Sequence, residues 1–202
     1  MKRFLKKRWL WLSIGAVVIA ALVVLTMQLF PKNETGLPTL TVETPQKLSA
    51  SQTKEFTLDV TIDQLGDTLY PAMSMSISFD ASRLEFLGIE EGNLFILDDE
   101  NSSGQQLPQW SCNIENSNAT GMINVMYLDM TGGKHAFSKT LMSDTYNVVL
   151  RLKFRLRGSV RSGEVLDLIL EDAVFAASDE TQSLAMTTGK LKTKNGRLVI
   201  GE

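Results

Sequence analysis

Residues 70–86 read Tyr70-Pro71-Ala72-Met73-Ser74-Met75-Ser76-Ile77-Ser78-Phe79-Asp80-Ala81-Ser82-Arg83-Leu84-Glu85-Phe86. From Met73 to Phe79 apolar and polar residues alternate without a break. A strand turns successive side chains to opposite faces, so Met73, Met75, Ile77 and Phe79 fall on a core side and Ser74, Ser76 and Ser78 on a wet side. Asp80 and Ser82 supply turn chemistry, and Leu84–Ile89 starts a second strand that ends at Glu90-Glu91-Gly92-Asn93.

Outward from this stretch the same period recurs. Leu40–Val42 and Phe56–Ile62 precede it; Trp110–Ile114, Met122–Leu128, Val148–Arg157, Val165–Leu170 and Arg197–Ile200 follow. Gly, Asn, Asp and Ser lie between these runs, and no segment after residue 31 holds a helical period for more than two turns. About nine short strands with turn signals predict an all-β sandwich or barrel. Two connections exceed what a hairpin needs: residues 90–108, acidic and Gly/Ser-containing, and residues 129–145, which hold Gly132-Gly133. Long loops in a compact sandwich are binding elements or tolerated insertions.

The first 30 residues differ in kind. Lys2, Arg3, Lys6, Lys7 and Arg8 precede Trp9–Phe30, a run of 22 residues with no charge. At ~1.5 Å rise per residue such a helix spans a bilayer core. The basic cluster places the N-terminus in the cytoplasm and everything after Pro31 outside. Trp9 and Trp11 sit where an interfacial aromatic belt would be. A cleaved signal peptide would have a shorter apolar core and a small-x-small site, whereas this run ends in Thr26-Met27-Gln28-Leu29-Phe30-Pro31. The expected organisation is a basic segment 1–8, a signal-anchor helix 9–30, a Pro/Gly linker 31–38 and an extracytoplasmic domain 39–202.

Beyond residue 30 the chain carries 15 Lys and Arg against 23 Asp and Glu, a net charge of about −8. That argues against nucleic-acid binding, which needs a basic face for phosphates. One Cys and one His remove most catalytic and metal constellations. His135 has no triad partner in a nucleophile context. Cys112 alternates with Trp110 and Ile114, which makes it a small core hydrophobe without a disulfide partner. Glu90-Glu91, Asp98-Asp99-Glu100, Glu171-Asp172 and Asp179-Glu180 supply carboxylates, but neighbours on a strand face opposite ways and no stretch has calcium-loop spacing. They read as solvated acids. No catalytic residue and no metal ligand is expected. Asn33, Asn101 and Asn118 each open a glycosylation triplet, a pattern common by chance.

The stretch from Tyr70 to Phe86, with Gly88-Ile89-Glu90-Glu91-Gly92 after it, resembles the third and fourth strands of cohesin domains. Val149–Val160 resembles the family's long hydrophobic-basic strand, Glu164–Phe175 its late strand with an acidic residue, and Thr193–Ile200 its closing Asn-Gly strand. The resemblance runs over about residues 38–200. It implies a nine-stranded jelly-roll β-sandwich, here preceded by one transmembrane helix. Cohesins are non-catalytic receptors for dockerins, small calcium-loaded helical modules on secreted enzymes. The chain departs from the scaffoldin pattern in having one such domain, no tandem copies and its own anchor.

The resemblance also implies a docking face, on the sheet that holds the third, fifth, sixth and eighth strands. Its outward residues would be Ser74, Ser76, Ser78, Ser111, Asn113, Asn124, Met126, Asp167 and Ile169. Such a surface suits a protein partner, because hydrogen bonds fix register and a few apolar anchors carry energy. The plain alternative is an ordinary wet sheet face. The expected function is therefore a membrane-anchored surface protein that tethers a protein partner non-covalently, with calcium entering only through a dockerin-type partner. Two other classes stand beside it: a surface-displayed carbohydrate-binding module, or a structural part of an envelope secretion or pilus assembly. A sugar-binding module needs exposed aromatics, for which Tyr70, Phe95, Phe137, Tyr146 and Phe175 are the candidates.

Overall fold

In the computed structural model of the protein the described residues are 36–45, 47–49, 55–92, 109–141, 147–158 and 160–201. The chain divides into two units, Met1–Gly36 and Leu37–Glu202, and every element below belongs to the second. The expected anchor, Trp9–Phe30, lies outside the described residues; among those that are described, no helix is long and apolar enough to cross a membrane.

In chain order the elements are β1 (Thr39–Val42), β2 (Leu48–Ser49), β3 (Phe56–Asp63), β4 (Ala72–Ser78), β5 (Leu84–Glu91), β6 (Gln109–Cys112), α1 (Ile114–Thr120), β7 (Met122–Leu128), β8 (Val148–Leu156), β9 (Val165–Ala176), β10 (Leu184–Ala185), β11 (Lys192–Lys194) and β12 (Gly196–Gly201). One sheet has the order β11-β1-β3-β8-β5. The other has the order β2-β12-β9-β4-β7-β6, with β10 added on β9. β4 lies at the centre of the second sheet, antiparallel to β7 on one side and to β9 on the other.

The alternation of β4 works as its sequence demands. Met73, Met75 and Ile77 are buried, and the three serines between them are half-buried on the other side. They meet Leu58, Val60 and Ile62 of β3 and Leu150, Leu152 and Phe154 of β8 in one core between the sheets. Apolar burial at roughly 25 cal/mol per Å² holds the layers together, since the chain has no disulfide. Phe79, at the end of β4, packs edge-on to Phe154 at 5.5 Å, and Phe86 lies 5.5 Å from Phe154. The Asp80 carboxylate accepts from the Ser82 N–H at 2.9 Å and its hydroxyl at 2.6 Å, so the chain turns there from one sheet into the other.

Among the described residues there are twelve strands where about nine were expected. β2, β10 and β11 are two or three residues long, too short to show a period in sequence, and exist because longer strands offer them an open edge. β9 runs six residues past Leu170, where its alternation ends, and closely matches the Glu164–Phe175 strand that the resemblance implies. Its pairing with β4 slips between Ser76 and Ile77, which leaves Glu171 as an extra residue in a β-bulge. A run broken by two adjacent acids therefore continues as a strand in the opposite phase.

The segment 113–121 is also different from expectation. β6 stops at Cys112, and Asn113 becomes the N-cap of α1, its side chain accepting the Asn116 N–H at 2.9 Å. Ile114, expected in the core, is 43% exposed. Gly121 closes the helix in the left-handed region at φ +70°, its N–H bonded to Ser117 O. Seven residues without an apolar stripe show no helical period, so capping rather than amphipathicity makes this helix.

Candidate partner-binding face

Side chains at even positions of β4 and β7 point out of the sandwich. Ser74 stands level with Met126 and Val174; Ser76 with Asn124 and Asp172; Ser78 with Met122 and Ile169. Ser111 of β6 faces Met126 from the far side. Of the nine residues that the sequence assigns to the face, Ser74, Ser76, Ser78, Ser111, Asn124, Met126, Asp167 and Ile169 thus share the outer surface of one sheet. Asn113 does not, because it caps α1 and its side chain is spent on the helix backbone.

The surface is uncharged and apolar at one end. Met126 is 63% exposed and Ile169 39%. Ala72, Ser74, Met126, Leu128, Val174 and Ala176 surround an open hollow of about 340 Å³. Ala72, Val174, Leu128 and Ala176 are not among the expected residues. Ala72 and Leu128 share the parity of Ser74 and Met126, which is the signal that would have found them. Val174 and Ala176 had no such signal, because the bulge at Glu171 inverts the parity of β9. Beneath the hollow the Tyr127 hydroxyl donates to His135 O at 2.6 Å, and the ring packs on Trp110 at 4.7 Å and Phe137 at 4.8 Å. Burial pushes the Tyr127 phenol well above its ordinary range.

Hydrogen bonds on the face run within it. The Ser76 hydroxyl donates to Asn124 Oδ1 at 2.7 Å, and the Ser78 hydroxyl to Glu171 Oε1 at 2.7 Å. Glu171 and Asp172 are both exposed, so the bulge places two neighbouring acids toward solvent where an unbroken strand would bury one.

The opposite sheet presents a different outer surface. Arg151 pairs with Asp59 at 3.1 Å, Lys153 with Glu55 at 2.6 Å, and Arg155 with Glu85 at 2.9 Å. Each cation of β8 already has a carboxylate partner, an exposed arrangement that contributes little to stability. The Glu55 pairing lowers that carboxyl and raises Lys153. A face with its charges matched internally offers a partner little.

The loop 129–145 is structural over its described part, 129–141. Phe137 is fully buried, bonds Tyr70 in both directions through its backbone, and meets Phe175 edge-on at 5.3 Å. Asp129 organises the turn. Its carboxylate accepts from the Thr131 N–H at 2.7 Å, the Thr131 hydroxyl and the Gly133 N–H at 2.8 Å. Since the Thr131 hydroxyl proton goes to Asp129, His135 Nδ1, 2.9 Å from that oxygen, is the donor between them. His135 is thus a loop constituent. Tyr70, Phe137 and Phe175, three candidates for sugar stacking, are core residues; Phe95 and Tyr146 lie outside the described residues. Among the described residues no aromatic side chain is exposed.

Cys112 packs against the core, and burial pushes its thiol up. Asn118 is tied down: its amide nitrogen donates to Phe86 O at 2.7 Å and to Ile114 O at 3.1 Å, and its oxygen accepts the Phe86 N–H at 2.9 Å. Those bonds pin α1 to the irregular step of β5 between Phe86 and Gly88. The other triplets, at Asn33 and Asn101, and the acids Asp98-Asp99-Glu100 lie outside the described residues. Glu90 lies 3.9 Å from Lys153, and Asp179 caps the short turn Glu180–Gln182. Among the described residues no three His, Cys, Asp or Glu side chains cluster as metal ligands would.

The family model for the cohesin domain matches residues 40–193. No curated protein matches the chain. Among solved structures, the sixth cohesin of Acetivibrio cellulolyticus scaffoldin B, in complex with a mutant Cel5 dockerin, is similar at TM-score 0.59 and 16% identity, covering 82% of this chain and 99% of that one. The OlpA cohesin of Clostridium thermocellum, in a type I complex with a dockerin, aligns at TM-score 0.58 and 16% identity over 82% of this chain and 99% of its own. A non-cellulosomal cohesin from the archaeon Archaeoglobus fulgidus aligns at TM-score 0.52 and 18% identity, over 83% of this chain and 93% of its own.

Proposed function

We propose, from the premise that this chain belongs to the cohesin domain family, that it holds a protein partner non-covalently on the outer face of β6, β7, β4 and β9, and that the partner is a dockerin-type module. The family is one of non-catalytic protein-binding domains. The observation that carries the choice of face is the contrast between the two sheets. One outer surface is laced with ion pairs between β8 and its neighbours. The other has exposed Met126, Leu128 and Ile169 among small polar residues, with an apolar hollow at one end. Apolar side chains in a rim of short hydroxyls and amides supply contact area without a desolvation penalty for buried charge.

The N-terminal segment completes the proposal. Lys2 to Arg8 and the uncharged run Trp9–Phe30 anchor the chain in a membrane with the domain outside, so that the bound partner is held at the cell surface. Calcium enters with the partner, as part of a dockerin-type module.

The test uses the full chain in detergent, immobilised, against a panel of purified dockerins from secreted enzymes, with calcium and with a chelator. Saturable binding of at least one dockerin, lost in chelator, is the expected result. Absence of binding across the panel, with the chain shown folded by circular dichroism, would overturn it. Retention on a polysaccharide column in its place would shift the assignment to sugar binding.

A further inference from the structure

The end of the sandwich at which the chain enters is bound together by its loops. β1 starts at Thr39, level with Asp63 at the end of β3 and with Lys192 at the start of β11, and the Lys192 N–H donates to Pro38 O at 2.8 Å. Residues 64–71 join β3 to β4 there. They are tied to the segment 129–141 by the paired backbones of Tyr70 and Phe137 and by the Lys139 N–H on Gly66 O at 3.0 Å. The Thr68 hydroxyl donates to Gln182 Oε1 at 3.0 Å and the Lys190 ammonium donates to Thr181 O, which bring residues 181–190 into the same cap. Leu37, Leu69 and Leu141 stand on these segments at 41–45% exposure. Lys134, Lys139, Lys190 and Lys192 are exposed on them too, and none is in an ion pair among the described residues. Of the described carboxylates at this end, Asp63 accepts from the Asn147 amide at 2.7 Å, and Asp129 and Asp179 are spent on their own turns, which leaves Asp67, Glu91 and Glu180.

The uncharged run of the sequence ends at Phe30, and Leu37 follows seven residues later. Seven residues span at most about 25 Å. That is shorter than β8 alone, whose nine residues extend ~30 Å. A tether of this length keeps the entry end of the domain close to the bilayer. Resting on the membrane anchor proposed above, we infer that this end lies against the phospholipid surface, with Leu37, Leu69 and Leu141 among the headgroups and the four lysines on headgroup phosphates. Apolar side chains gain by leaving water at the boundary of headgroup and acyl chain, and a lysine stem lies along such a surface while its ammonium stays with phosphate oxygens. Four lysines against three open carboxylates leave the end near neutral, so the contact rests on the leucines and forms on zwitterionic lipid. Seating this end raises the strands from the membrane and leaves the outer faces of both sheets open to the side, where a partner can reach them.

The experiment reconstitutes the full chain in phosphatidylcholine vesicles. An environment-sensitive fluorescent amino acid replaces Leu69, Leu141 or, as the control, the exposed Ser162 between β8 and β9 at the far end of the strands. Its quenching by lipids that carry a nitroxide at the headgroup is measured. Thermal melts check folding, and Lys134 takes the place of any loop position whose labelled variant melts early. The expected result is quenching at positions 69 and 141 at least about threefold that at position 162. Leu37→Asp combined with Leu141→Asp, in the chain labelled at position 69, should lower its quenching by about half or more, since nearness to the bilayer alone does not depend on those side chains. Equal quenching at all three positions, or quenching indifferent to the two substitutions, in a chain that floats with the vesicles would overturn the inference while the anchor stood. A chain that does not float with the vesicles would overturn the anchor and the inference together. The dockerin panel reads the docking function separately from both.

Discussion

Asp129 shows how much one side chain can organise. Burial alone pushes its carboxyl up, but hydrogen bonds from the Thr131 hydroxyl and N–H, the Gly133 N–H and the His135 N–H outweigh it and hold the group below its ordinary value. A carboxylate with a depressed native pKa contributes stability that is present above the unfolded value of ~3.9 and is lost as pH falls through the native one. Urea titrations between pH 2 and 6 should therefore show wild-type stability falling at the acid end, with part of that slope missing in Asp129→Asn. The same variant should lose ~1–3 kcal/mol at neutral pH, because an amide nitrogen then faces N–H donors. A variant whose slope matched wild type would mean that other carboxylates carry the acid sensitivity. None of this was legible in the sequence, where Asp129 only opens a loop containing glycines. A carboxylate that nucleates a turn looks the same in sequence as one that dissolves in solvent.

At the scale of elements, α1 depends on its ends. Gly121 lies at φ +70°, and a Cβ there would come within 2.8 Å of Phe79 O. Gly132 has a similar φ of +74° with nothing within 4 Å. Gly132→Ala should cost about 1–2 kcal/mol, the left-handed penalty alone, and Gly121→Ala clearly more, read as a lower urea midpoint at unchanged m-value. Equal costs would show that the end of β4 yields without resistance. The strands were mostly legible: the extents expected for β4, β7 and β8 agree with those found to within a residue or two at each end. Their periods are long, and packing on one face enforces them. Trp110–Ile114 failed because alternation over five residues cannot be told from a strand end followed by an N-cap. Alternation alone lost β9 at Glu171 because a bulge reverses parity there, and only the resemblance over Glu164–Phe175 carried the strand on.

The whole molecule joins a charged, uncharged and mixed region in one chain, and each implies an environment. The basic cluster and the apolar run that follows make a topological prediction. Protease added to intact cells should remove the domain after residue 31 and leave a short N-terminal fragment in the membrane, with an epitope tag at the N-terminus protected until the cells are opened. Release of the whole domain into the medium without protease would instead indicate cleavage of the segment.

What the sequence determined by itself was the pattern of faces. Period-two alternation decided which side of β4, β7 and β8 meets the core, since burying apolar groups on one face of a pleated strand leaves no choice about the other. Five of the nine residues expected on the outer face, Ser74, Ser76, Ser78, Asn124 and Met126, followed from that parity. The resemblance, not the alternation, put the strands of this face on one sheet; their register was settled only in three dimensions, where the pairing of β4 with β7 and β9 brings Ala72, Leu128, Val174 and Ala176 around one hollow. Alternation is a property of one strand and is written locally. A surface that a partner can grip belongs to several strands at once, and only their register across the sheet creates it.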